Sequence, residues 1–118
     1  MAKKRSLNEI VNNEETSILV IKTPTKVAYP EEAIDFVVKN FEKKVKDETM
    51  IEDVRFAAGE MIANAIEHGN KRDETKLVKI YCSWFGDDFY FVVQDEGEGF
   101  DIENPRYKHS PPEGGCLL

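Results

Sequence analysis

Residues 77–95 read "LVKIYCSWFGDDFYFVVQD", and no other stretch limits the fold as tightly. Two runs rich in β-branched and aromatic residues flank the turn signal "GDD", which predicts a β-hairpin. Side chains alternate across a strand, so Val78, Ile80, Cys82 and Trp84 share one face of the first run. In the second run Phe89, Phe91, Val93 and Asp95 share a face. A carboxylate therefore closes a row of three large apolar side chains.

The elements before the hairpin supply a layer to cover it. "EEAIDFVVKNFEKKV" after Pro30 sets Ala33, Ile34, Val37, Val38, Phe41 and Val45 on one helical stripe. Pro30 suits the start of that helix, and Glu31 and Glu32 suit its dipole. A second helix is predicted from Met50 to His68, with Ile51, Val54, Ala58, Met61, Ile62, Ala65 and Ile66 as its apolar stripe and Gly69-Asn70 as its stop. "SILVIKT", residues 17–23, reads as a strand. Residues 1–16 read as a flexible lead-in or a short helix, and 17–118 as one domain. The order is strand, two helices, hairpin and a Gly/Pro-rich end without periodicity from Glu96 on. The fold class expected is α+β, with helices on one face of a largely antiparallel sheet.

Composition narrows the function classes. A hydrophobic share of 41% with 33% charged residues fits a globular domain that can build a core. The net charge of −7 does not favour nucleic acid, and only "MAKKR" is basic. No apolar run approaches the length of a membrane span, and no hydrophobic stretch follows the basic start, so neither a membrane segment nor a signal peptide is expected. The two cysteines, Cys82 and Cys116, make no disulfide framework; Cys82 reads as a small buried residue, and a reducing, cytoplasmic setting is expected.

"EMIANAIEHG", residues 60–69, breaks a rule of good helices. Asn64 is a poor helix former, because its amide competes for backbone groups. Glu60 lies one turn before it, and both project away from Met61 and Ile62. A solvated face is the plain reading of such a pair. A chemical reading is also open: an amide oxygen ligates hard cations such as Mg²⁺, and a neighbouring carboxylate can accept a proton. Asp95 reads plainly as a strand-end carboxylate opening a turn. On an apolar face, though, it needs a partner, and a flat apolar ligand with an exocyclic amino group, such as adenine, supplies one. "GEGF" follows directly, and Gly97 and Gly99 permit close approach of a ligand to the backbone.

Taken together, "ExxxNAxxHG" and, some way on, "DxGxGF" resemble the first two ATP-binding boxes of the GHKL superfamily. "EMIANAIEHGN" with "VVQDEGEGFD" is most similar to its bacterial anti-sigma factor, serine-protein kinase branch, over residues 17–105. The resemblance implies a two-layer α/β sandwich and the cofactors ATP and Mg²⁺. It implies Asn64 as Mg²⁺ ligand, Glu60 as the general base, Asp95 as acceptor for the adenine amino group, and Gly97 and Gly99 against the nucleotide. His68 and Gly69 take a structural role as the close of the helix. The implied partners are a sigma factor and an antagonist protein phosphorylated on serine. "EGGCLL" stands where the family carries a second glycine box, and it lacks the arginine often found near one. Residues 96–118 are therefore expected to form a lid-like, incomplete segment, mobile from Asp101, with weakened ATP binding and self-association through uncovered sheet, a homodimer included. Three alternatives stand beside the kinase: a catalytically impaired binding module of the same fold, a histidine-kinase-type catalytic domain, and a plain α+β domain with no nucleotide.

Overall fold

The computed structural model describes residues 5–25, 30–97 and 100–104. Four antiparallel strands form one sheet in the order β1-β2-β3-β4: Thr16–Lys22, Leu77–Phe85, Asp88–Gln94 and Phe100–Glu103. Between β1 and β2 run α2, Glu31–Phe41, and α3, Glu48–Asn64, which lie on one face of the sheet. This is the α+β architecture that the sequence implies.

The helices form where their apolar stripes require. Ala33, Ile34, Val37, Val38 and Phe41 of α2 are all buried, as are Ile51, Val54, Ala58, Met61 and Ile62 of α3. Pro30 takes the N-cap position of α2, and the Asp47 side chain caps α3 by accepting from the Met50 N–H at 3.1 Å. These stripes meet Val78, Ile80, Cys82, Trp84, Phe89, Phe91 and Val93, the face assigned by alternation. Burial pushes the Cys82 thiol well above its usual range, as a small core residue requires. Gly86 turns the hairpin with φ 64°, the first-position glycine of a type II′ turn.

Two features differ from the sequence reading, and a third decides between alternatives it left open. Of the two readings of the N-terminal segment, the short helix is the one that forms: α1, Leu7–Val11, is fixed by a capping box between Ser6 and Glu9. It buries Ile10 against Tyr81, Tyr90 and Val92, so the second face of the hairpin is covered as well. Next, the helix expected to continue to His68 leaves α geometry at Asn64 and passes into a π turn, Ala65–Gly69. Lastly, the region expected to be mobile from Asp101 begins with β4, paired to β3 by Phe91↔Glu103 and Val93↔Asp101; residues 105–118, with "EGGCLL", lie outside the described residues. Among the described residues the exposed large apolar side chains are Ile18 and Val20 on edge strand β1, at 52% and 47%, together with Val11 and Phe56, and none lies on the Val/Phe face of the hairpin. Among the described residues no helix is long and apolar enough to cross a membrane.

Candidate functional site

The π turn sets the geometry of the site. The Asn70 N–H donates to the Ala65 carbonyl at 2.8 Å, five residues back, so the turn holds one residue more than an α turn. Gly69 and Asn70 are thereby carried inward, and both are buried. Gly69 comes to rest against the carboxyl group of Asp95, just beyond the end of β3: any Cβ at position 69 would sit within bonding distance of that carboxylate. A Cβ on Gly97 would strike the Gly69 carbonyl oxygen in the same way. Glycine is needed at both positions for space, because neither takes up a left-handed φ. The role of Gly69 is thus larger than closing a helix, since it forms one wall beside Asp95.

Asp95 is half-buried, and its Oδ1 accepts the Gly97 N–H at 2.7 Å. It opens the turn, as the plain reading requires, with its carboxyl held toward the helix layer. Gly99 lies outside the described residues. Beside the turn, Leu77, Lys79, Gln94, Asp95 and Glu96 line a concavity of about 410 Å³. Lys79 and Gln94 are cross-strand partners on the sheet face away from the helices, so this hollow shares the turn but not Gly69.

The side chains of Glu60 and Asn64 occupy the exposed side of α3 and make no hydrogen bond or ion pair with the described residues. Asn64 is the last α-helical residue, immediately before the π turn that delivers Gly69. The two halves of the site are therefore joined through one continuous helical segment. Among the described residues no three His, Cys, Asp or Glu side chains cluster as a metal site. One amide oxygen at an exposed position fits a Mg²⁺ ion that keeps several waters and shares phosphate oxygens; it does not fit a cage built from protein alone.

Asn70 went unrecognised in the sequence as more than a helix stop. It is fully buried and joins four segments by side-chain and backbone hydrogen bonds. An asparagine directly after a helix-ending glycine was the available signal.

A family model described as a histidine kinase-like ATPase domain matches residues 23–116. Among curated relatives, "Serine-protein kinase RsbW" of Bacillus licheniformis is 37% identical over 56 residues, which is 48% of this chain and 35% of the relative. The protein of the same name from Bacillus subtilis is 34% identical over 61 residues, 52% of this chain and 38% of the relative. That of Staphylococcus aureus strain Newman is 32% identical over 62 residues, 52% and 39%. The matched segments thus span less than half the length of these relatives.

Proposed function

The chain belongs to the histidine kinase-like ATPase domain family, and from that premise we propose that it binds ATP with the adenine amino group on Asp95 and transfers the γ-phosphoryl group to a serine of a partner protein. The observation that carries this reading is the close packing of Gly69, Asp95 and Gly97. The two glycines let the chain close on the Asp95 carboxylate, which fixes at a strand end an acceptor for the amino group of a flat base. The names of the relatives, serine-protein kinases, support the choice of serine as acceptor. The anti-sigma resemblance supports a sigma factor and its antagonist as the partner proteins.

In this reading the residues divide the work. Asp95 accepts a hydrogen bond from the exocyclic amino group. Gly69 and Gly97 let the chain close on Asp95 and hold its carboxylate in place for the base. Asn64 offers its amide oxygen to the divalent ion that accompanies the phosphates, and that ion supplies charge neutralisation. Glu60 takes the proton of the serine hydroxyl as its oxygen attacks the γ-phosphorus and ADP departs. Phosphoryl transfer depends mostly on positioning and charge neutralisation, so a solvent-facing carboxylate one turn from the ion suits the base.

The test is incubation of the chain and γ-labelled ATP with a candidate antagonist protein. Label is expected on serine, and Glu60→Gln should abolish it while nucleotide affinity stays near the original value. Undiminished transfer by Glu60→Gln would remove Glu60 from the mechanism. ATP binding with no transfer to any partner would favour the binding module of the same fold.

A further inference from the structure

We propose that Asn70 is a positioning residue for base recognition: it holds the Asp95–Gly97 turn in the geometry that distinguishes adenine from a base with a carbonyl in place of the amino group. This inference rests on the adenine reading of Asp95.

The amide of Asn70 is committed at every polar atom. Its Nδ2 donates to Thr23 Oγ1 at 2.8 Å and to the Leu77 carbonyl at 3.0 Å, while its Oδ1 accepts the Glu96 N–H at 2.8 Å. Its backbone N–H closes the π turn on Ala65, and its carbonyl accepts from Asp73 at 3.0 Å. The orientation of the amide is fixed by chemistry. Thr23 Oγ1 gives its proton to the Lys76 carbonyl at 2.8 Å, so toward Asn70 it can only accept. Both Thr23 Oγ1 and Leu77 O thus call for a donor, and the Glu96 N–H calls for an acceptor; a flipped amide would fail at all three.

The result is a clamp on the turn. Glu96 is held from its backbone by Asn70, and its carboxylate accepts the Leu77 N–H at 2.5 Å. Asp95 precedes Glu96 directly, and its Oδ1 is occupied by the Gly97 N–H. The backbone on the far side of Asp95 therefore cannot move without breaking bonds to a side chain that has no solvent exposure. Asn70 touches no base itself. It joins the turn to the end of β1, the start of β2 and the π turn behind Gly69.

A purely structural asparagine would lower stability without changing base preference, and this separates the two cases. The full chain, Asn70→Ala, Thr23→Val and Thr23→Ser are each titrated with ATP and with inosine triphosphate in Mg²⁺. The original chain is expected to prefer ATP by roughly tenfold, the worth of one good hydrogen bond. In Asn70→Ala and Thr23→Val the preference should fall to about twofold, mainly through weaker ATP binding. Thr23→Ser keeps the hydroxyl and should keep the preference. Thr23→Val carries the test if Asn70→Ala does not fold. Folded variants with an unchanged preference, or an equal loss for both nucleotides, would overturn the inference and leave the adenine reading standing. An original chain that binds both nucleotides equally, or neither, would overturn that reading and this inference with it.

Discussion

Asp95 and Gly69 are the pair on which the site depends, and each makes a separate prediction. Asp95→Asn replaces an acceptor with a group that can present a donor to the adenine amino group. A donor left unmatched costs about 1–3 kcal/mol, or roughly 5- to 150-fold in ATP affinity by titration. Gly69→Ala inserts a methyl group where the Asp95 carboxyl lies. Overpacking of this kind costs about 1–3 kcal/mol, and a comparable insertion at Gly86 meets nothing nearby. Thermal melts should show Gly69→Ala lowered by several degrees, with ATP binding lost even where the protein is folded. A Gly69→Ala variant with unaltered melting and affinity would mean that the contact with Asp95 is not fixed in solution. The sequence motif named Asp95 and Gly97, because the residue types carry chemistry. It undervalued Gly69, whose importance is steric and appears only once β3 and the π turn are brought together.

The elements were legible to the extent that they are long and periodic. The stripes of α2 and α3 and the alternation in β2 and β3 each repeat several times, and every residue of those stripes that falls within an element is buried. The π turn was not legible, because one added residue in a turn leaves the apolar spacing of Ala65 and Ile66 unchanged. Strand β4 was missed for a different reason. "FDIE" alternates, but four residues after a Gly-rich turn give too few repeats to stand out. That short strand carries a pH signature. Burial, with Asp101 adding repulsion, raises the Glu103 carboxyl to about 7. The folded chain therefore holds this proton over a range in which the unfolded chain, ionising near 4.5, has lost it. Stability should be unaffected by Glu103 below that lower value, fall as pH rises toward 7, and level off above it. Glu103→Gln removes the ionisation. It should stabilise the protein at pH 8 by about 1–2 kcal/mol after solvent screening, and leave it unchanged at pH 4. Denaturant titrations at the two pH values check this, and parallel curves for both chains would show that Glu103 is not buried as described.

At the scale of the molecule, the sheet organises two separate tasks. Its helix face packs the core, and the same strands end in the turn that α3 and the π turn meet. Buried hydrogen bonds through Asn70 tie those ends together, so the base recognition proposed for this turn would rest on the framework itself. The most direct measurement is calorimetric titration of the full chain with ATP in Mg²⁺, alongside Asp95→Asn. The account predicts saturable binding of ATP to the original chain, and affinity lowered at least severalfold in a folded Asp95→Asn variant. A folded original chain that takes up no ATP, or an Asp95→Asn variant that binds as tightly as the original, would contradict it.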